Sequence, residues 1–259
     1  MRRRTRRGSW MLVAILAMLV PSAARAGLIS EAQELQMGAQ AAQEIEARYS
    51  LSKNPAHAAL VAQLGKQIAA SSDRPKLPWE FRVLDTPEVN ALSVPGHVYV
   101  NTGLLEFVGK DRDALAAVVA HEIAHTTRRH AVRQMEKALV GSLALRFLFK
   151  DQDALITQLA GTAANLALLG YGRTQELEAD RFAAEYLIRA GYDPQGIIRF
   201  FEKLRKEEGA EVKGLAVYFR SHPPTSERIR KVKEFLANRQ RAAAPRSESV
   251  ATPAANGGT

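Results

Sequence analysis

The most distinctive pattern of apolar and polar positions lies in residues 114–124, which are apolar except at two adjacent positions. His121 and Glu122 interrupt the apolar run, and His125 directly follows it. A segment with so few polar residues predicts a buried helix, and the acidic residues near Asp111 are typical of a helix amino terminus. Burial of two histidines and a glutamate without partners would be costly, so we expect these side chains to bind a common partner.

The other patterns predict a mainly helical α+β domain. We expect the apolar helix to run past His130. Short apolar runs on either side of Pro95-Gly96, within residues 79–101, are typical of a strand, a turn and a second strand. Composition and flanking Asn, Gly and Pro residues predict further helices in residues 30–48, 55–71, 175–190, 194–208 and 224–240.

The run His121-Glu-Ile-Ala-His125 has the form of the HExxH signature of zinc hydrolases. A spacing of four places both imidazoles one turn apart on the same face of a helix, where they can bind one metal ion. Glu122 lies beside them, and its carboxylate can accept a proton from an attacking water and pass it to a leaving amine. The pattern indicates a catalytic metal site if a third ligand is present.

Residues 174–183 provide the candidate third ligand. Glu176 and Asp180 are four residues apart on a predicted helix, so Glu176 can bind the metal while Asp180 accepts a hydrogen bond from a ligand histidine. Glu178 lies about 200° from Glu176 around this helix, and we expect it to be a solvated surface acid. Two histidines and one glutamate leave a fourth position for water, which is typical of a catalytic zinc site.

Two further histidines lie near these motifs in the sequence. His222 precedes Pro223-Pro224, which hold it outside a regular helix. From a rigid loop it can stabilise the oxyanion of a tetrahedral intermediate or block the open metal position reversibly, although its spacing alone favours a surface histidine. His130 follows His125 by five residues, about 140° around one continuous helix, so we expect it to have a structural role.

The predicted hairpin precedes the metal helix and is a candidate substrate-binding element. Asn90 and Ala91 lie at its start. An exposed strand edge can bind an extended peptide as an added strand, which suits the cleavage of unfolded chains. The hairpin is equally compatible with a purely structural role.

Taken in order, several short motifs resemble the zinc endopeptidase family that includes the CAAX prenyl protease, the heat-shock protease HtpX, the mitochondrial Oma-type protease and the bacterial periplasmic BepA-like proteases. The resemblance covers residues 30–240 and is closest to a stand-alone form without tetratricopeptide repeats. Its motifs are Asn90-Ala91, Pro95-Gly96, Gly103-Leu104-Leu105, His121 to His125, Arg129-His130, Glu176 to Arg181, His222-Pro223 and Arg228-Ile229.

The resemblance implies a zincin-like metalloprotease domain with a small β-sheet beside the HExxH helix and one zinc ion per chain. The family's metal ligands and its catalytic acid-base residue correspond to His121, His125, Glu176 and Glu122. Asp180 corresponds to the residue that orients a ligand histidine. His222 corresponds to a histidine that can approach zinc as a switch, and Arg228 to a structural or transition-state partner.

The expected function is that of a zinc-dependent endopeptidase that degrades unfolded or misassembled proteins of the bacterial cell envelope. Contacts with a membrane surface or with outer-membrane assembly are expected, and nucleic acid is not an expected partner. The alternative is a zinc-bound chaperone or assembly factor for outer-membrane proteins whose protease site is normally latent. A non-peptidase zinc hydrolase would instead require a closed small-molecule pocket.

The amino terminus indicates export. Residues 1–26 combine an arginine-rich start, an apolar run from Trp10 to Val20 and the small-residue motif Ala24-Arg25-Ala26, as in a cleavable signal peptide. An uncleaved anchor and twin-arginine export are the alternatives. The formal net charge of +9 mostly reflects this segment, because it holds six of the 36 basic residues and the 27 acidic residues nearly balance the rest. We therefore expect a periplasmic protein, and the charge does not indicate nucleic-acid binding.

The expected domain organisation follows from these patterns. We expect a catalytic domain over residues 27–241 and a disordered tail rich in Ala, Pro, Ser and Gly over residues 242–259. Residues 139–170 contain apolar runs interrupted by charged residues, which favours either an amphipathic lid that touches a membrane or a client, or ordinary core helices. The absence of cysteine excludes disulfides and thiolate metal ligands.

Overall fold

The computed structural model describes residues 28–141, 170–207, 215–222 and 226–243. These residues form a mainly helical α+β fold, which confirms the predicted fold class. The helices are α1 (Glu31–Arg48), α2 (Pro55–Ala70), α3 (Thr102–Val108), α4 (Arg112–Thr127), α5 (His130–Gly141), α6 (Arg173–Ala190), α7 (Gln195–Lys206), α8 (Leu215–Ser221) and α9 (Ser226–Ala243), and the strands are β1 (Glu80–Leu84), β2 (Ala91–Val94) and β3 (His97–Asn101).

The described strands form one sheet in the order β1-β3-β2. β1 is parallel to β3, whereas β2 is antiparallel to β3 with Val94 paired to His97. Pro95-Gly96 therefore forms a two-residue turn, and the positive φ of 85° at Gly96 suits the Pro-Gly order of a type II turn. The predicted hairpin is confirmed, and β2 is an edge strand of the described sheet.

The sheet separates two apolar clusters, because successive side chains of a strand point to opposite faces. Ala91, Val98 and Val100 belong to the larger cluster, which includes residues of α2, α4, α6 and α7. Leu92 and Tyr99 belong to a smaller cluster with α1 and the start of α5. Edge strand β2 consequently presents every second side chain to α4, the helix that holds the HExxH motif.

Helix α4 is the central element of the larger cluster. Its residues from Ala114 to Thr127 are all buried, and it contacts α2, α6 and α7 as well as β2. Asp111 caps the helix, since its side chain accepts a hydrogen bond from the amide of Ala114 at 3.0 Å. The buried apolar helix that the sequence predicts is therefore present and begins where expected.

The predicted carboxy-terminal extent of this helix is wrong. α4 ends at Thr127, and Arg129 adopts a left-handed conformation with a φ of 54° before α5 begins at His130. Nε of Arg129 lies 2.9 Å from the buried carboxylate of Glu34, and its Nη2 donates to the backbone oxygen of Ile29 at 2.6 Å. These contacts stabilise a backbone conformation that residues other than glycine seldom adopt.

Helix α9 continues to Ala243, so it includes the first residues of the expected tail. The expected signal peptide, residues 142–169 of the expected lid and the rest of the tail lie outside the described residues. Within the described ranges, no helix is both long and apolar enough to cross a bilayer.

Candidate metal centre

Helices α4 and α6 bring the two histidines of the HExxH motif against Glu176. Nε2 of His121 and Nε2 of His125 lie 2.9 Å apart. The carboxylate oxygens of Glu176 lie 3.5 Å from Nε2 of His121 and 3.4 Å from Nε2 of His125. Ligand atoms on a tetrahedral ion with bonds of about 2.1 Å are about 3.4 Å apart. The two carboxylate distances match this spacing, whereas the two imidazole nitrogens lie closer together and would have to separate slightly around a bound ion.

His222 approaches the same point from the end of α8. Its Nδ1 lies 3.2 Å from each carboxylate oxygen of Glu176, and donor atoms of these two residues and of His121 and His125 all lie within 4.8 Å of one another. His222 is buried, so the surface position that its spacing favours is wrong. Its Nε2 has no hydrogen-bond partner among the described residues. Three imidazoles and one carboxylate, with an unsatisfied buried nitrogen, fit a divalent metal ion.

Asp180 contacts the outer ring nitrogen of His121. Oδ1 of Asp180 lies 2.9 Å from Nδ1 of His121. A proton on Nδ1 leaves the lone pair of Nε2 facing the cluster. The contact with Asp180 therefore favours the tautomer of His121 that can bind a metal.

Arg228 lies buried behind two carboxylates. Its Nε and Nη2 each donate a hydrogen bond to Asp180 at 2.7 Å, and its Nη1 lies 2.7 Å from Glu176. Burial acts to raise the pKa of both carboxyl groups. The nearby His222 and Arg228 side chains nevertheless hold the pKa of Glu176 well below its usual range, and Arg228 lowers the pKa of Asp180. Both carboxylates are therefore ionised.

Glu122 lies between the metal cluster and edge strand β2. Oγ of Ser93 donates a hydrogen bond to Oε2 of Glu122 at 2.9 Å. Oε1 of Glu122 lies 3.4 Å from Nε2 of His222 and has no hydrogen-bond partner in the described part of the chain. One carboxylate oxygen is thus fixed by a hydrogen bond, and the other is buried without a hydrogen-bond partner among the described residues. Ser93 was not predicted as a site residue, although the alternation along β2 places it on the face toward α4.

The break after α4 brings His130 against His125. Their Nδ1 atoms lie 2.8 Å apart, and Nε2 of His130 lies 3.3 Å from Glu178. The helix is interrupted rather than continuous, and this brings His130 against His125, although His130 is not a member of the metal cluster, as predicted. Burial and the positive charge of Arg133 lower the pKa of His130 to about 4, so its imidazole is neutral at neutral pH.

Tyr171, which was also not predicted, stacks on His125 with ring centroids 4.0 Å apart.

Glu178 is not the solvated surface acid that its position on the helix predicts. Its carboxylate accepts hydrogen bonds from Arg128 at 2.9 Å and from Arg133 at 2.8 Å. Burial acts to raise the pKa of Glu178, but these hydrogen bonds lower it to about 2. Glu178 is therefore an ionised member of a charged cluster beside His130.

The two predicted substrate-binding residues lie at the start of β2. Oδ1 of Asn90 accepts a hydrogen bond from Oγ of Ser221 at 3.3 Å, and Ser221 directly precedes His222. Ala91 is buried in the apolar cluster that includes α4. Asn90 thus links the edge strand to the segment that carries His222, and substrate binding by Asn90 or Ala91 stays a prediction.

The sequence profile of peptidase family M48 matches residues 55–236. Mitochondrial metalloendopeptidase OMA1 of Schizosaccharomyces pombe is 35% identical over 182 residues, which are 70% of this chain and 53% of that protein. The beta-barrel assembly-enhancing protease of Escherichia coli is 30% identical over 187 residues, which are 68% of this chain and 38% of that protein. Metalloprotease YcaL of Escherichia coli is 27% identical over 224 residues, which are 84% of this chain and 85% of that protein.

The matched part of the chain spans about half or less of the first two relatives and most of the third. The profile match includes every residue of the metal cluster, together with Glu122, Asp180 and Arg228. Because the match covers more than half of the chain and contains the candidate metal centre, the protein belongs to peptidase family M48.

Proposed function

We propose that the protein is a zinc-dependent endopeptidase. The observation that carries this proposal is the buried cluster of His121, His125 and Glu176, with the unpaired carboxylate oxygen Oε1 of Glu122 beside it in the described part of the chain. Zinc is the proposed metal, one ion per chain, because imidazole and carboxylate ligands at tetrahedral spacing suit it. The similar proteins are named a metalloendopeptidase and proteases, which supports hydrolysis of peptide bonds.

In the proposed mechanism, His121, His125 and Glu176 would hold a zinc ion, which would supply polarisation of the scissile carbonyl and acidification of the attacking water. Glu122 accepts the proton of that water at Oε1, because Ser93 holds Oε2. The same carboxyl group then passes the proton to the leaving amine. His222 stabilises the developing oxyanion through Nε2, which lacks a partner among the described residues. Arg228 acts indirectly, since its guanidinium already binds the carboxylates behind the cluster.

The proposed substrates are extended segments of unfolded or misassembled envelope proteins. β2 is an edge strand of the described sheet and carries Ser93 next to Glu122, so a peptide added to this edge would lie beside the metal cluster. All four residues of β2 are buried, so this edge would have to be uncovered before a peptide could pair with it. One similar protein is named for enhancing β-barrel assembly, which supports contacts with outer-membrane assembly. The proposed location is the periplasm, supported by the signal-peptide pattern of residues 1–26.

A latent form of the same site is the second candidate. The observation that favours it is the position of His222, whose ring nitrogen lies in the same 4.8 Å cluster as the other ligands. From there His222 can complete the metal coordination and exclude the attacking water. In this state the protein would act as a zinc-bound chaperone or assembly factor for outer-membrane proteins.

Cleavage of unfolded casein by the purified full chain tests both candidates. We expect the zinc-loaded wild type to cleave casein, a chelator to abolish cleavage, and Glu122→Gln to retain zinc without cleaving. Cleavage by Glu122→Gln at the wild-type rate would overturn the assigned mechanism. His222→Ala separates the two candidates, because its cleavage rate falls if His222 stabilises the oxyanion and rises if His222 blocks the site.

A further inference from the structure

His130 and Glu178 form a chain of polar contacts behind the metal cluster. Nδ1 of His130 lies 2.8 Å from Nδ1 of His125, and Nε2 of His130 lies 3.3 Å from Oε2 of Glu178. His130 is fully buried, so bulk water does not compete for these contacts. Both ring nitrogens of His130 are therefore committed, one to a metal-ligand candidate and one to a carboxylate.

The proton positions in this chain follow from the way in which His125 binds a metal. Nε2 of His125 faces Glu176 at 3.4 Å, and coordination through its lone pair places the ring proton on Nδ1. Two nitrogens 2.8 Å apart need one donor and one acceptor, so Nδ1 of His130 accepts. A neutral imidazole has a single N–H, which then lies on Nε2 of His130 and donates to Glu178.

The corner formed by residues 128–130 holds this arrangement in place. Arg128 binds Glu178 at 2.9 Å and, with a second arginine on α5, keeps its carboxylate ionised and able to accept a hydrogen bond. The left-handed turn at Arg129 directs His130 toward His125, and the ion pair with α1 stabilises that turn. The corner therefore supplies the imidazole of His130 and the guanidinium of Arg128, which holds the Glu178 carboxylate that His130 contacts.

We propose that His130 is a positioning residue that fixes the metal-binding tautomer and ring orientation of His125, and that Glu178 fixes His130 in turn. This inference rests on the proposed function, because it takes His125 as a metal ligand. Asp180 holds Nδ1 of His121 in a comparable way at 2.9 Å. Each histidine of the HExxH motif thus has its own acceptor at Nδ1, which is a carboxylate for His121 and an imidazole for His125.

Zinc affinity, measured on the full chain by competition with a chromogenic chelator, tests this role. His130→Leu removes the acceptor and is expected to weaken zinc binding about 10- to 100-fold. His130→Asn offers a carboxamide oxygen near the position of Nδ1 and is expected to recover most of the affinity. His57→Leu is the matched control, because His57 lies in the first turn of α2, and we expect its zinc affinity to be unchanged.

Nitrogen NMR of the histidine rings in the zinc-loaded wild type reads the tautomers without any substitution. We expect Nδ1–H on His125 and Nε2–H on His130. Nδ1–H on His130, or wild-type zinc affinity in a folded His130→Leu variant, would overturn the proposal. Failure of the proposed function is distinguishable: a wild type that bound no zinc would remove its metal site, whereas a wild type that bound zinc without cleaving casein would leave the expected zinc affinities and tautomers unchanged.

Discussion

Oγ of Ser93 donates a hydrogen bond to Oε2 of Glu122, with 2.9 Å between the two oxygen atoms. The contact joins the edge strand of the sheet to the proposed acid-base residue. Both side chains are buried, so loss of the hydroxyl would leave Oε2 without bulk water to replace it. Ser93 therefore fixes the orientation in which Oε1 of Glu122 faces His222 and has no hydrogen-bond partner among the described residues, so that it can accept a proton.

We expect Ser93→Ala to lower kcat about tenfold, because a hydrogen bond to a charged group contributes about 1.5–3 kcal/mol and part of that acts on the chemical step. Zinc content and KM are expected to keep their wild-type values. Steady-state cleavage of a fluorogenic peptide measures kcat and KM. Ser93→Thr retains a hydroxyl and is the control, and a wild-type kcat in Ser93→Ala would contradict the orienting role.

Arg228 compensates the buried carboxylates of Asp180 and Glu176. We expect Arg228→Leu to lower the free energy of unfolding of the metal-free protein by about 3–5 kcal/mol, because both carboxylates would lose their common cation. The free energy of unfolding of Arg228→Lys should lie between those of Arg228→Leu and the wild type, since lysine supplies the charge without the planar set of donors. Urea denaturation measures the free energy of unfolding of the wild type and of both variants. Equal stability of Arg228→Leu and wild type would show that Arg228 does not stabilise the site.

Asp111 makes a pH-dependent contribution to stability at the start of α4. Its carboxylate accepts hydrogen bonds from Arg199 and from the amide of Ala114, and the contact with Arg199 lowers its pKa. A lowered carboxyl pKa stabilises the folded state above the unfolded pKa, and this contribution is lost as the pH falls through the folded pKa. We expect Asp111→Ala to lower the free energy of unfolding by about 1 kcal/mol at neutral pH.

The difference between Asp111→Ala and wild type is expected to begin to shrink below the unfolded pKa of about 4, and to be lost as the pH falls through the lower pKa of the folded state. Urea denaturation over a range of pH measures this difference. Asp111→Asn is the control, because its side chain still caps the helix without a charge. A difference that stays constant down to the acid transition would contradict the ionic contribution.

Gly170 packs against the segment that carries His222. A Cβ atom at Gly170 would lie 2.1 Å from the backbone oxygen of Ser221. The φ of Gly170 is 89°, a value that residues other than glycine seldom adopt. We expect Gly170→Ala to lower the free energy of unfolding by roughly 1–3 kcal/mol, through overpacking and backbone strain. Gly172→Ser is the matched control, because the φ there is −72° and the nearest atom to an added Cβ is 3.8 Å away. Similar stabilities of the two variants in thermal unfolding would contradict the close approach.

The features that the sequence predicts correctly are local. The apolar composition of α4 and the spacing of His121 and His125 depend on one helix, and Pro95-Gly96 specifies its turn through the conformations these two residues favour. Seven-residue helix α8 was not predicted, because so short a segment contains too few positions for a periodic pattern.

The features that the sequence does not reveal depend on contacts between distant segments. The break at Arg129 requires Glu34 of α1, and the burial of His222 requires Glu176 of α6. The sequence predicts that Glu178 is exposed because its arginine partners belong to other elements of the fold. Side-chain periodicity along one helix shows which face a residue occupies, but not which other segment covers that face.

Titration of the metal-free protein with zinc, with casein cleavage followed at each addition, tests the central claim most directly. We predict that the cleavage rate rises in proportion to added zinc and reaches its plateau at about one equivalent per chain, as a single catalytic site requires. Full cleavage before zinc is added, or a zinc-saturated protein that cleaves no unfolded substrate, would contradict a zinc-dependent endopeptidase centred on His121, His125 and Glu176.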